Sequence, residues 1–293
     1  MTEISWRHHY IPQFYLRNFT NDEDKFHIYL IKENRYKANG KLFSPESHFF
    51  EENGNTLSSE EGITDFLETD SYKQIDNDTA ILFNKIKYST ESRYGLSEAD
   101  MPMLQFFVAH LFWRNPSRNE FTKALILRKG LSGLGLKVKD IQTDETLIGS
   151  EIEKKMMENE STYKFIKYWL PSALYQNLFN NNSPLSILSF TPGDIPSLIC
   201  DNPLILRNPQ KFDVYKDDFI LPLGRDKILI RTNKLKAQYQ NITKILIDNL
   251  LIKQANKFVS TTDLEYIDLL YNLRKDKSIE YLRDEIFSNL VDE

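Results

Sequence analysis

The chain has 293 residues, 41% of them hydrophobic, with 37 basic and 42 acidic side chains and a net charge of -5. That supplies apolar material for one large domain or two intimate ones, excludes extensive disorder, and argues against a basic nucleic-acid coat over the whole surface. One cysteine, Cys200, can make neither an internal disulfide nor a thiolate metal site, and no apolar run approaches the roughly 20 residues of a bilayer span, so a cytoplasmic protein without membrane contact is expected.

The first dense stretch is HHYIPQFYLRNF, from His8 to Phe19. Pro12 suits the first position of a short helix, because its backbone angle is fixed and it has no N–H to satisfy. Both histidines then lie just ahead of that helix. Tyr15 and Phe19 share one helical face with Leu16 beside them, so the segment should dock into a core. FHIYLI from Phe26 alternates with the period of a half-buried strand, and the Asn-Gly of KANGK offers a hairpin return. A further short strand is expected around His48, Phe49 and Phe50, and His27 and His48 are read as packing or surface histidines.

From about Glu60 to Lys87, Leu67, Ile75, Leu82 and Ile86 recur at helical spacing with Thr79 filling one gap, which predicts one long amphipathic helix. Glu68, Tyr72 and Asp76 share a stripe of it. Ser97 and Asp100 mark the next helix start, and Met103 to Trp113 is apolar all round, so this helix should be central. Pro116 should end it by pushing Asn115 out of the helical region. Arg114 and Arg118 then emerge where a buried helix reaches the surface. There they either snorkel onto the last carbonyls or grip a carboxylate or phosphate with their forked donors. GLSGLG lacks the Gly-Lys-Ser/Thr ending of a phosphate loop and no strand precedes it, so LILRKGLSGLGLKVKD reads as a flexible connection. Glu151 to Phe179 is helical in pattern with an interruption at Pro171, and FNNNSP closes it.

The character then changes. SILSF, SLIC, LIL, FILPL and KILIR are short apolar runs between Pro, Gly and Asn-Asp signals, with LGRDK a hairpin turn between the last two. Asp201-Asn202-Pro203 ends one run, either as a turn whose side chains bond their own backbone or as polar groups projected from a rigid strand end. From Leu235 onward the pattern is helical again. The expected fold is therefore α+β and mainly helical: a helical body with an N-terminal hairpin and a small, mostly antiparallel sheet in the C-terminal half. It forms one domain over 1–293, divided into the N-terminal motif and hairpin (1–58), central helices (59–180), small sheet (185–232) and C-terminal helices (235–291).

HHYIPQFYLRNF resembles the opening signature of the prokaryotic family known as domain of unknown function 4238, a His-His-Tyr-Val-Pro-like run followed by Leu-(Arg/Lys)-x-Phe. LETDSYKQID from Leu67, the arginine pair in FWRNPSRNEF from Phe112 and ICDNPLIL from Ile199 fall in the family's order. The similarity covers nearly the whole chain. Cys200 departs from it, standing where serine more often precedes Asp-Asn-Pro. The resemblance implies positions and no reaction, together with a setting among accessory bacterial genes, such as phage defence.

Charge is unevenly placed. Ten acids between Glu46 and Asp78 face one base, Lys73, whereas from Arg114 to Lys139 seven bases face Glu120 alone. Such blocks serve as solvated faces or as anion-binding surfaces. The candidate catalytic residues are His8, His9, Asp201 and Glu68, and the candidate anion-binding residues are Arg114, Arg118, Arg17 and Asn202. A histidine can move a proton, arginines can steady phosphoryl charge, and a carboxylate can orient the histidine or bind Mg²⁺ or Mn²⁺. This set points to a nuclease- or phosphodiesterase-type hydrolase acting on a phosphodiester or nucleotide-type substrate. The alternative is a non-catalytic binding or sensing module for an anionic ligand or partner protein. DNA binding through the basic block is a third reading, marked by steep salt dependence. Oligomeric state stays open.

Overall fold

The computed structural model describes residues 5–59, 62–89, 93–137, 139, 143, 158–175, 184–190, 195–209, 216–274 and 276–292. The N-terminal histidines lie just ahead of the first helix, as expected, and belong to a short strand. Strand β1 (Arg7–His9) pairs antiparallel with β5 (Phe50–Glu52), His9 opposite Phe50. Helix α1 (Gln13–Leu16) follows, with Pro12 as its N-cap in extended geometry (φ -58°, ψ 139°), one residue earlier than the expected helical position. As expected, Tyr15, Leu16 and Phe19 are fully covered, and the Tyr15 hydroxyl donates to the Pro222 carbonyl at 2.5 Å.

The expectation of a mainly helical body with one small sheet is overturned. Among the described residues, strands form four sheets drawn from the whole chain. FHIYL is strand β2 (Phe26–Leu30), and its returns β3 (Arg35–Tyr36) and β4 (Leu42–Phe43) both pair with it. Its other edge pairs with β14 (Phe258–Thr261), a strand inside the tail expected to be helical, and β14 pairs in turn with β10 (Leu198–Cys200). The C-terminal runs thus divide between two sheets. β10 joins the N-terminal strands, while β9 (Leu185–Ser189), β11 (Ile205–Leu206), β12 (Phe219–Pro222) and β13 (Lys227–Arg231) form the second five-stranded sheet with β8 (Arg93–Tyr94) in the order β11-β12-β13-β9-β8. Every pairing of these strands is antiparallel, and the LGRDK turn joins β12 to β13 as expected.

Alternation along these strands feeds two cores, since successive side chains point to opposite faces. Leu229 belongs to one cluster while Ile228 and Ile230 belong to the other, and Ile199 is set against Leu198 and Cys200 in the same way. The first cluster packs against α1, α2 (Lys73–Tyr88), α3 (Asp100–Arg114) and α5 (Glu160–Tyr175). The second packs against α6 (Ile242–Gln254), α7 (Tyr266–Arg274) and α8 (Ile279–Leu290). The sheets therefore form a middle layer covered by helices on both sides.

Three further expectations change. The predicted helix from Glu60 begins later, because β6 (Leu57–Ser59) and β7 (Gly62–Thr64) make a hairpin and a wide π-helical turn, Leu67–Tyr72, leads into α2. Leu125 to Gly133 is helical within α4 (Asn119–Gly133), broken only at Gly130 (φ 64°, ψ 172°), where a positive φ suits glycine. Leu131 and Leu134 beyond that break are buried, so this part is docked rather than a flexible connection. Pro171 lies inside α5 instead of interrupting it, while 151–157 and the asparagine-rich turn at 179–183 lie outside the described residues. Helix α3 is central as expected, and Asn115 is extended ahead of Pro116.

Candidate functional site

The site is built where α3 ends. Its last residue, Arg114, is carried by an all-apolar helix into a buried position with only 4% of its side chain exposed. A cation there must be paired to be tolerated. Its Nη1 donates to both carboxylate oxygens of Asp76, at 3.2 and 3.0 Å, and its Nη2 lies 3.5 Å from Glu68 Oε2. The guanidinium also stacks 4.2 Å from the centre of the Tyr72 ring. Glu68, Tyr72 and Asp76 are the stripe foreseen on the acidic segment, so the acidic and basic blocks of the sequence meet at this cluster. Burial acts to lower the Arg114 pKa, but Asp76 and Glu68 outweigh it and hold the charge in place. Asn55 Nδ2 donates to the same Glu68 Oε2 at 2.8 Å and helps to fix that carboxylate.

His9 lines a cleft of about 660 Å³ together with Arg7, Gln13, Arg17, Glu68 and Arg114. Its ring packs on Phe50, 5.6 Å between centroids. Gln13, the first residue of α1, lies 3.5 Å from Nδ1 through its amide nitrogen, whereas Nε2 is buried without a hydrogen-bond partner among the described residues, although the Pro45 and Glu46 backbone lies near enough to the ring to favour its protonated form. Burial first, then the positive charge of Arg114, lowers the His9 pKa to about 4 against the opposing pull of Glu68. The imidazole is therefore neutral at pH 7. A buried ring nitrogen with no partner is a costly feature, of the kind expected where a ligand, a water or a proton transfer is to be served.

Around this floor the cleft carries Arg7, Arg17 and Lys73, all exposed. Arg7 stacks on the Trp6 and Phe50 rings, and none of the three has a carboxylate within ion-pair distance among the described residues. Glu46 is the remaining acid of the lining, besides the two held by Arg114.

The sequence-predicted set is thereby divided. His9, Glu68, Arg114 and Arg17 share the cleft, and Asp76, Gln13 and Lys73 join them. Asp76 carried a legible signal, its helical register with Glu68 and Tyr72. Gln13 and Lys73 carried none. The other candidates serve their own neighbourhoods. His8 accepts from the Asn55 N–H on Nδ1 at 2.7 Å and bonds the Ser5 carbonyl through Nε2 at 2.9 Å. Asp201 is buried and accepts the backbone N–H groups of Asn256 and Lys257 at 2.8 and 2.7 Å, tying the turn after β10 to the start of β14. Asn202 exchanges side-chain and backbone bonds with Gln254. Arg118 lies over the Phe112 ring, 4.8 Å from its centre. None of these four lines the cleft.

Among the described residues, no three His, Cys, Asp or Glu side chains are grouped closely enough to hold a metal ion. The two carboxylates beside His9 are occupied by Arg114, so this donor set does not fit the Mg²⁺ or Mn²⁺ considered from the sequence. No helix among the described residues is long and apolar enough to cross a membrane.

A family model described as "Protein of unknown function (DUF4238)" matches residues 7–263, a span that contains all four runs quoted above. No curated protein and no solved structure matches the chain.

Proposed function

The chain belongs to the DUF4238 family, whose description assigns no activity, and from the chemistry of the cleft we propose that it receives a phosphate ester, of phosphodiester or nucleotide type, and hydrolyses it with His9 handling the proton. The observation that carries this reading is a neutral, buried imidazole beside a fixed guanidinium, in a cleft whose cations Arg7, Arg17 and Lys73 have no carboxylate partner among the described residues. Those cations would take the phosphate oxygens. The negative charge of the bound phosphate would then raise the His9 pKa from about 4 toward the working pH, where an imidazole both accepts and returns a proton. Gln13 steadies the ring at Nδ1, and the tautomer follows the orientation of its amide, whose nitrogen donates and whose oxygen accepts. Arg114 acts here as a positioning residue, holding Glu68 and Asp76 and adding to the burial that keeps His9 neutral until ligand arrives.

A second reading is favoured by the same guanidinium. Its charge is already matched by two carboxylates, so the cleft would bind an anion and signal its presence without turning it over. The two separate in one set of measurements, using inorganic phosphate for binding and bis(p-nitrophenyl) phosphate for turnover. The hydrolase reading expects phosphate binding by the wild type, turnover of the ester, and a loss on the order of 10²-fold in rate for His9→Gln with binding retained. Phosphate binding without turnover by the wild type would leave the sensor. Binding unchanged in Arg17→Glu/Lys73→Glu, both at exposed positions, would sink both.

A further inference from the structure

A cleft of about 1140 Å³ shares no lining residue with the His9 site, and beside Glu51, Glu52, Glu158 and Glu160 it is lined by lysines from four separate regions: Lys37, Lys257, Lys123 of α4, and the α5 pair Lys164 and Lys167. Most of these amines are engaged. Lys164 donates to the Asn53 and Thr56 carbonyls, both at 3.1 Å, and lies 3.3 Å from Glu160. Lys123 lies 3.4 Å from Glu120 and 5.6 Å from the Tyr163 ring centre. Lys37 donates to the neutral His48 ring at 3.0 Å, and Lys257 makes no ion pair among the described residues.

Lys167 differs from the rest. It is half-buried, its Nζ donates to Asn119 Oδ1 at 2.6 Å, and no carboxylate of the described residues lies within ion-pair distance. Asn119 is held in turn by the Tyr163 hydroxyl, 3.2 Å from both its Oδ1 and its carbonyl, so the acceptor that aims the amine is itself fixed. The charges that act on Nζ are Glu51 from β5, Arg114 from α3 and Lys164 one turn away on α5; Arg114 and Lys164 disfavour the ammonium form. Desolvation comes first among the causes, and the Lys167 pKa is pushed down to about 8. A lysine that is partly desolvated, next to another cation and in a large cleft is the arrangement that makes an amine a nucleophile at neutral pH.

We infer that this cleft takes an aldehyde or ketone carrying an anionic group, with Lys167 forming an imine to the carbonyl carbon and Lys37 and Lys257 receiving the anion. The free amine's lone pair attacks the carbonyl carbon, the C=O π pair moves to oxygen, and oxygen takes a proton to give a carbinolamine. Loss of the hydroxyl as water and of the remaining N–H proton leaves the C=N bond. Amine and carbonyl go in, imine and one water come out, and no oxidant or reductant is needed. This inference does not rest on the His9 proposal, although the charge of Arg114 acts on both Lys167 and His9.

The test uses glyoxylate as the probe on the full chain, with cyanoborohydride supplying the hydride that converts each imine to a stable carboxymethyl amine, followed by peptide mapping. A pKa near 8 against the ordinary 10.4 leaves about 10² more free amine at pH 7. Steric cover offsets part of that, so Lys167 is expected to be labelled on the order of tenfold faster than the exposed Lys85. The first addition seen by intact mass should vanish in Lys167→Met. The rate should rise with pH through about 8. Lys37→Met/Lys257→Met should slow labelling by glyoxylate and leave labelling by neutral acetaldehyde unchanged. Lys167 reacting no faster than Lys85 in the wild type would overturn the inference, and that comparison stands even if Lys167→Met does not fold. Equal slowing of both aldehydes would overturn the anion-receiving role of Lys37 and Lys257.

Discussion

Replacing Arg114 by methionine tests how the cleft is held together, because it keeps most of the volume and removes the cation between Asp76 and Glu68. Breaking a buried pair by deleting one partner costs about 3–5 kcal/mol, chiefly because the charges left behind have nothing to answer them. Here the abandoned carboxylates keep 22% and 15% of their side-chain exposure, against 4% for the arginine. They can recover some water, which places the expectation at the lower end, about 3 kcal/mol. Asp76→Asn leaves the guanidinium facing Glu68 alone and should cost about half as much. Urea unfolding followed by tryptophan emission, to which the buried neighbour Trp113 contributes, measures both, and an unchanged slope shows that only stability has moved. The same variant has a second readout. Arg114 is the second cause of the lowered His9 pKa, after burial, so its loss should raise that pKa from about 4 while burial keeps it below 6.5, as read by NMR titration of the ring. A loss under ~0.5 kcal/mol, the range of an ordinary surface substitution, or a His9 pKa that stays put or falls, would refute the account of this cluster.

Two further outcomes follow from buried polar groups elsewhere. His110 is buried against Tyr72, Phe106 and Tyr168 with neither ring nitrogen partnered among the described residues, and burial, then the charge of Arg114, lowers its pKa to about 3. Since the unfolded chain binds the proton more readily between about 6.5 and 3, stability present above pH 6.5 is lost progressively as pH falls through that window, by up to ~1.4 kcal/mol per unit. His110→Leu should flatten this slope, so its stability relative to wild type rises from pH 7 to pH 5; parallel profiles for the two proteins would contradict it. Asp201→Ala removes two charge-assisted bonds to the Asn256 and Lys257 N–H groups and should cost about 2–4 kcal/mol. It should leave phosphate binding at the His9 cleft unchanged, and a change in that binding at equal stability would place Asp201 in the site after all.

Much of the local structure was legible because it is written at short range. The apolar run of α3 announced a central helix, Tyr15 and Phe19 announced a docked N-terminus, and the register of Glu68, Tyr72 and Asp76 was visible before any partner was known. What the pattern concealed was pairing over distance. Nothing in FHIYLI says that its second neighbour is FVST, more than two hundred residues later, because a strand's hydrogen bonds are made by backbone groups common to every residue. The same gap explains the tail. KFVST continues an apolar run that reads as helix, and only the extended Ala255 (ψ 139°) that ends α6, with β2 waiting alongside, makes it a strand.

The sequence by itself therefore determined which residues seek burial, which face of each helix is apolar, and that a guanidinium would stand at the end of a buried helix. Tertiary structure decided the partners. It gave Arg114 to Asp76 and Glu68, set His9 beside them with one nitrogen unanswered, and spent His8 and Asp201 on backbone groups near their own turns. The physical reason is range. Periodicity follows from geometry within one element, while the charge state and role of a polar side chain depend on whichever groups the folded chain brings within a few ångströms and on how much water they exclude.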